Sequence, residues 1–106
     1  MYKKEAEGDG VITFEWDEKK NEVNKKKHRI SFDEAKSVFY DENGIVINDP
    51  DHSVGEERFV IIGLSNQLKN LTVCHCYRDN DEVIRIISAR KATKLENQQY
   101  YQQKMR

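Results

Sequence analysis

The sequence lacks a long hydrophobic run, and its longest uncharged apolar stretch covers only residues 60–64. A transmembrane helix needs about 20 apolar residues, so no segment is expected to cross a membrane. No basic-then-apolar stretch typical of a signal peptide opens the sequence either. We therefore expect a soluble, cytoplasmic protein.

The length of 106 residues matches one domain. We expect a disordered tail at residues 1–10 before a single domain at residues 11–106.

The sequence also lacks an excess of one charge. It has 18 Lys and Arg against 19 Asp and Glu, a formal net charge of -1, which excludes a globally basic nucleic-acid binder. The charges are nevertheless segregated. Residues 41–57 hold six acids and neither Lys nor Arg, whereas residues 85–106 hold six bases and one acid. A local basic surface is therefore compatible with the composition.

Large apolar residues are few as well. Leu, Ile, Val and Phe make up 25 of the 106 residues, not far above the roughly 20% below which chains tend to be disordered. The core is therefore expected to be small, and the domain only marginally stable, at about 5–15 kcal/mol. A partner that buries more surface is expected to stabilise it.

Cysteine is scarce, and Cys74 and Cys76 are the two in the sequence. If they lie on a strand, both thiols point to one face and His75 points to the other. This arrangement makes a poor tetrahedral zinc site, and no second cysteine pair is present to complete one. We therefore predict no metal and no cofactor, and we expect the thiols to pack as small apolar groups on a buried strand face.

Conventional catalytic motifs are missing too. The sequence shows no Ser/His/Asp or Cys/His framework, no glycine-rich phosphate loop and no carboxylate pair placed for glycosidase chemistry. A general acid or base that works near neutral pH is most often a histidine. His52 is expected to cap an acidic turn, and His75 is expected to pack within a strand. His28 lies in a run of basic residues.

Two helices are predicted in the first part of the chain. Asp17 stands at an N-cap position before the charged residues 17–27, where the acids come early and the lysines late, as the helix dipole favours. Ser31 and Glu34 form a capping-box pattern, and apolar residues follow at helical spacing. The second helix is expected to cover residues 32–41.

The pattern becomes β-like after Gly44. A short β-prone run at residues 11–16 precedes the helices, and four further runs follow them at residues 45–47, 58–64, 69–77 and 82–88. Their short connections favour hairpins and hence antiparallel pairing. Thr93, with Glu96 three residues on, starts a last helix. The predicted fold is α+β: two N-terminal helices, a four-stranded antiparallel β-meander and a C-terminal helix.

Arginines in or beside the predicted strands are the clearest functional signal. The forked guanidinium group is always charged and matches the geometry of phosphate. Ion pairs with Glu56, Glu57 or Glu82 explain each arginine equally well. RNA phosphate chemistry and a plain protein-binding module therefore both stay open from the residues alone. The arginines in question are Arg58, Arg78, Arg85 and Arg90.

Three blocks of the sequence, in the order in which they occur, resemble one known family. Phe-Glu-Trp-Asp at residues 14–17 with Lys-His-Arg-Ile-Ser-Phe-Asp-Glu-Ala at residues 27–35 forms the first block. Residues 49–59 form the second, and residues 85–93 with Glu96 and Tyr100 form the third. Together they resemble the BrnT toxins of bacterial type II toxin–antitoxin systems. The front extension and the tail rich in Gln and Tyr depart from the family pattern.

The resemblance implies a RelE-like ribonuclease fold, an endoribonuclease activity that needs no metal, and arrest of bacterial growth. On this basis Arg58 and Arg85 are expected to hold the scissile phosphate, and Lys27 or His28 to transfer a proton. Glu57 is expected to orient an arginine. Arg90 and Lys91 are expected to position the RNA. Alanine at Arg58 or Arg85 is expected to abolish toxicity and leave the protein folded.

The resemblance also implies a partner, an antitoxin of the BrnA type with a ribbon-helix-helix part that binds DNA. The toxin is then associated with DNA only through the antitoxin. We expect exposed groups on the last helix, Tyr100, Tyr101 and Met105, to contact the antitoxin. Two alternatives stay open: a catalytically inactive co-repressor in an antitoxin–DNA complex, and an unrelated small α+β protein whose arginines are all in ion pairs.

Overall fold

Local sequence signals determine where the helices begin. The structure is a computed structural model, and it describes residues 2–7, 12–49 and 55–105. The Asp17 side chain accepts a hydrogen bond of 2.8 Å from a backbone N–H two residues on, and Ser31 caps the second helix through the Glu34 N–H. Thr93 and Glu96 form a complete capping box. The helices span Glu18–His28 (α1), Phe32–Ser37 (α2) and Lys94–Lys104 (α3), with a 3-10 turn at Val38–Tyr40.

The strands of the described residues form one mixed sheet. They are Tyr2–Glu7 (β1), Ile12–Asp17 (β2), Ile45–Asn48 (β3), Phe59–Leu64 (β4), Asn70–Arg78 (β5) and Val83–Lys91 (β6). Their order is β1-β2-β6-β5-β4-β3. Strands β3 to β6 pair antiparallel with their sequence neighbours, whereas β2 pairs with β6 in parallel and β1 pairs antiparallel with β2.

The α+β class, the antiparallel meander and the three helix starts are confirmed. The four-stranded, RelE-like description does not match exactly, because β2 and β1 extend the sheet beyond β6. The structure describes a strand, β1, at Tyr2–Glu7, within the residues 1–10 for which a disordered tail was expected. The second helix is also shorter than predicted, since its last turn is 3-10. The turn predicted at residues 48–52, with His52, lies outside the described residues from residue 50 onward.

The hydrophobic core lies on the side of the sheet that α1 and α2 cover. It contains Phe14 and Trp16 of β2 together with residues of α2, β4, β5 and β6. Helix α1 itself contributes buried asparagines instead of apolar side chains. The Asn24 amide donates 2.9 Å hydrogen bonds to the carbonyls of Ile30 and Ala89 and accepts one of 3.1 Å from the Ala89 N–H. Helix α1 is therefore fixed against β6 by polar contacts.

Helix α3 is anchored to the body by a buried tyrosine. The Tyr100 side chain is 2% exposed, and its hydroxyl donates a 2.7 Å hydrogen bond to Asp41. Burial and this hydrogen bond raise the pKa of Tyr100 to about 12. Burial alone raises the pKa of Asp41, but hydrogen bonds from the Leu64 N–H, Tyr100 and the Asn43 N–H outweigh it and lower that pKa. The expectation that Tyr100 is exposed was wrong, because its side chain packs inside the folded domain.

Candidate active site

Strand alternation gathers the functional side chains on the side of the sheet opposite the core. Cys74 pairs with Ser88 and Cys76 with Arg85, and a bulge between these pairs keeps all four side chains on this side. A pocket of about 170 Å³ lies here, and we call it the arginine pocket. Its lining residues are Asp49, Arg58, Val60, Thr72, Cys74, Ile87, Ser88 and Arg90.

Arg58 enters this pocket just before β4. Its Nε lies 3.7 Å from a carboxylate oxygen of Glu56, and the other oxygen of Glu56 lies 2.7 Å from Arg78. One carboxylate thus lies between two arginines and restricts both. Glu57, which was expected to orient an arginine, instead accepts a 3.3 Å hydrogen bond from the Asn48 amide. Glu56, the residue before Glu57 in the sequence, contacts Arg58 instead.

Arg85 is held by an acid that the sequence did not indicate as its partner. In the parallel register of β2 and β6, Glu15 stands directly beside Arg85. The Glu15 carboxylate accepts a 2.5 Å hydrogen bond from Arg85 Nε and also contacts its Nη2. The Glu15 residue is only 2% exposed and the Arg85 side chain 20%. A partly buried guanidinium with two contacts to a buried carboxylate is fixed in place more firmly than a surface arginine.

Arg90 is held in the same way by Glu96 of α3. Its two terminal nitrogens donate hydrogen bonds of 2.7 and 3.1 Å to the two carboxylate oxygens, a forked geometry. Thr72 and the Thr93 N–H each donate a 2.8 Å bond to the same carboxylate. Burial alone raises the pKa of Glu96, but the bonds from Arg90, the Thr93 N–H and Thr72 outweigh it and lower the pKa to about 2. Glu96 therefore joins helix α3 to the arginine pocket.

The Glu96 network makes stability depend on acid pH. Because folding lowers the pKa of Glu96 from 4.5 to about 2, its contribution is complete above 4.5 and is lost as the pH falls towards 2. Asp41, whose pKa is also lowered, acts in the same direction. Glu96→Gln is expected to lower the free energy of unfolding by about 1–3 kcal/mol at pH 7. Urea unfolding at a series of pH values is expected to show that the free energy of unfolding falls less steeply in acid for this variant than for the wild type. Equal pH dependences for the two proteins would contradict the role assigned to Glu96.

Lys27 and His28 lie at the end of α1, beside a second depression of about 290 Å³ that we call the α1 groove. Ile87 and Ser88 line both the α1 groove and the arginine pocket, so the two depressions meet at β6. The predicted residues Lys27, His28, Arg58 and Arg90 are therefore brought together around one stretch of strand. The α1 groove is lined by Lys19, Lys20, Val23, Asn24, Lys27, His28, Ile87 and Ser88.

Other predicted residues lie apart from the arginine pocket. Lys91 follows Arg90 on β6, so its side chain points to the opposite side of the strand, where it lines a different depression with Tyr101. Tyr101 is half exposed, and Met105 is 85% exposed. Within the described residues, the structure thus separates Lys91 from the arginines and leaves Tyr101 and Met105 accessible.

The strand that carries the cysteines shows the expected alternation. Cys76 is buried, Cys74 is partly buried, both are free thiols, and burial raises the pKa of each. His75 is fully buried between aromatic rings, and burial lowers its pKa, which makes it a packing residue. In the part of the chain that the structure describes, no group of three His, Cys, Asp or Glu is placed to hold a metal ion.

Glu15 and Glu96 are the residues beside the arginines that sequence reasoning missed as their partners. Glu96 was identified only as a helix cap, a role that it also has. Glu15 lies in the first family block, but its pairing partner is 70 positions away along the chain. Glu56 was considered as one of several possible partners. A local pattern reveals a cap but not a contact between distant strands.

Arginines gathered in one pocket suit the binding of phosphate groups, because the guanidinium fork matches phosphate geometry. The chain belongs to the family described as "Ribonuclease toxin, BrnT, of type II toxin-antitoxin system", whose model matches residues 16–96. Membership implies an antitoxin partner.

Similarity to a solved structure agrees with the family. The chain resembles the crystal structure of the Brucella abortus ribonuclease toxin BrnT, with a TM-score of 0.57 and 25% identity, over 74% of this chain and 94% of that one. A search of curated proteins finds no match to the chain. Among the described helices, none is long and apolar enough to span a membrane.

Proposed function

We propose that this chain is an endoribonuclease toxin that cleaves RNA at the arginine pocket and arrests growth. The observation that carries the proposal is the gathering of Arg58 and Arg90 in one pocket that meets the α1 groove with Lys27 and His28. Arg85 lies on the same side of the sheet, although it does not itself line the arginine pocket. Membership of a ribonuclease toxin family supports this use of the pocket.

The reaction needs groups of the kind found here. The ribose 2′-hydroxyl loses a proton and its oxygen attacks the neighbouring phosphorus. The bond to the 5′-oxygen breaks, and that oxygen gains a proton, which leaves a 2′,3′-cyclic phosphate and a free 5′-hydroxyl. We assign Arg58 and Arg85 to the phosphate, where negative charge accumulates in the transition state. Lys27 or His28 transfers a proton, and Arg90 positions the RNA.

The acids have a supporting role in this proposal. Glu15, Glu56 and Glu96 hold the arginine side chains in place before the substrate arrives. Cations fixed in advance stabilise developing charge without the cost of reorganisation during the reaction. Because arginines supply the positive charge, we also propose that the cleavage needs no metal ion.

We propose a BrnA-type ribbon-helix-helix protein as the antitoxin, with RNA as the substrate and DNA association only through the antitoxin. The exposed apolar side chains of α3 support a contact there, because burying apolar surface gives an interface that resists salt. Tyr101 and Met105 are the residues of the predicted set that are accessible for this contact. Because Tyr100 is buried, we propose Leu95, which is 65% exposed, for this contact instead.

A second candidate function is an inactive co-repressor, and one observation favours it. Arg58, Arg85 and Arg90 each contact a carboxylate, so their positions are explained without a substrate. In that case the chain acts only as the partner of a DNA-bound antitoxin. The two candidates differ in whether the chain by itself harms a cell.

Expression of the chain alone in bacteria tests the proposal. We expect growth arrest within the induction period and recovery when the antitoxin is expressed with it. A Tyr101→Ser/Met105→Ser variant is expected to arrest growth equally well and to be rescued less, because the contact on α3 is lost. Normal growth at a high level of folded protein would favour the co-repressor instead.

A further inference from the structure

The α1 groove carries more positive charge than the proposed chemistry uses. Lys19 and Lys20 stand on its wall together with Lys27. Val23 and Ile87 also line it, and Val23 is 62% exposed although it is the one large apolar residue of α1. Lysines beside an exposed apolar floor suit a ligand that has both a phosphate and a flat apolar ring.

The α1 groove is continuous with the arginine pocket and fixed in shape. Ile87 and Ser88 line both depressions, so a chain that leaves the pocket over β6 enters the groove directly. Asn24 binds both backbone groups of Ala89, which holds α1 at this distance from the strand. The groove is therefore present before any ligand binds.

We propose that the α1 groove binds the nucleotide next to the scissile phosphate, with Lys19 and Lys20 contacting its phosphate and Val23 and Ile87 packing against its base. This subsite rests on the proposed ribonuclease function. It extends the bound RNA beyond the reacting group and along α1. The chemistry at the arginine pocket is unaffected by these lysines, so their effect falls on substrate binding.

The test is the salt dependence of binding to a single-stranded 2′-O-methyl RNA, which has no free 2′-hydroxyl and is not cleaved. The logarithm of the binding constant falls linearly with the logarithm of the salt concentration. For single strands, each lost phosphate contact makes this slope less steep by about 0.7. Lys19→Ala/Lys20→Ala is expected to show this decrease. Val23→Ala is expected to weaken binding without changing the slope, because it removes only an apolar contact.

Lys25→Ala is the matched control. Lys25 is on the same helix and carries the same charge, but it ion-pairs with Glu22 and does not line the groove. Its slope is expected to equal that of the wild type. Equal slopes for the Lys19→Ala/Lys20→Ala and Lys25→Ala proteins would overturn the subsite.

Cleavage of unmodified RNA by the wild type, measured in parallel, separates this subsite from the proposed function. If the wild type cleaves, the lysine variant is expected to raise KM and leave kcat unchanged. If the wild type cleaves and the Lys19→Ala/Lys20→Ala variant has the KM and the salt slope of the wild type, the subsite is rejected and the proposed nuclease function stands. A lowered slope without cleavage would support the RNA-binding groove and reject the nuclease.

Discussion

Replacing Arg58 with alanine is expected to slow RNA cleavage by about 10²–10³-fold, by comparison with the loss of one transition-state hydrogen-bond donor in other enzymes. Arg58 lines the arginine pocket, and its ion pair with Glu56 is long, at 3.7 Å, and partly exposed. Partly exposed pairs contribute only about 0–1 kcal/mol to stability, so the variant is expected to remain folded. The measurement is kcat/KM on single-stranded RNA together with the melting temperature.

Arg78→Ala is the control for this experiment. Arg78 contacts the same Glu56 carboxylate, at 2.7 Å, but it does not line the arginine pocket. Its loss changes the surroundings of Glu56 without removing a cation from the pocket, so cleavage is expected to stay within a few-fold of the wild type. Equal activities for folded Arg58→Ala and wild-type proteins would remove Arg58 from the site.

Replacing Arg85 with alanine is expected to destabilise the protein by about 3–5 kcal/mol, because it removes an ion-pair partner of a buried carboxylate. Glu15 is 2% exposed and bonds to two nitrogens of Arg85. Such a loss is a large part of the roughly 5–15 kcal/mol that holds a small domain together. The expectation from sequence that Arg85→Ala stays folded is therefore withdrawn, and chemical denaturation measures the change.

A double variant separates the structural role of Arg85 from its proposed role in cleavage. Glu15→Leu with Arg85→Met removes both charges, and replacing a buried ion pair with apolar residues is often neutral for stability. We expect this protein to recover most of the lost stability and to remain inactive on RNA. A folded double variant with wild-type activity would show that Arg85 serves the fold alone.

The elements that could be predicted are those fixed by local signals. Asp17, Ser31 and Thr93 cap the three helices as their sequence context indicates. The antiparallel meander follows from short connections. The β2–β6 pair joins strands that are about 70 residues apart and parallel, and no local signal announces such a pair. The prediction therefore stopped at four strands.

The structure places the predicted residues Arg58 and Arg90 in one pocket, whereas the pairing of Glu15 and Glu96 with arginines was not foreseen. Arg58, Arg85 and Arg90 lie within the sequence blocks that resemble the family, so they could be named without the structure. Which carboxylate holds each arginine depends on tertiary register, as Glu15 beside Arg85 shows. Tyr100 was misjudged for a similar reason, since its burial depends on Asp41 at the far end of α2 and the 3-10 turn.

We propose that the arginine pocket cleaves RNA by attack of the ribose 2′-hydroxyl, without a metal ion. The most direct measurement is mass spectrometry of the products after the purified protein is incubated with single-stranded RNA and EDTA. We expect fragments that end in a 2′,3′-cyclic phosphate and begin with a 5′-hydroxyl, and a loss of both with Arg58→Ala. Intact RNA after incubation with folded wild-type protein, or fragments that begin with a 5′-phosphate, would contradict it.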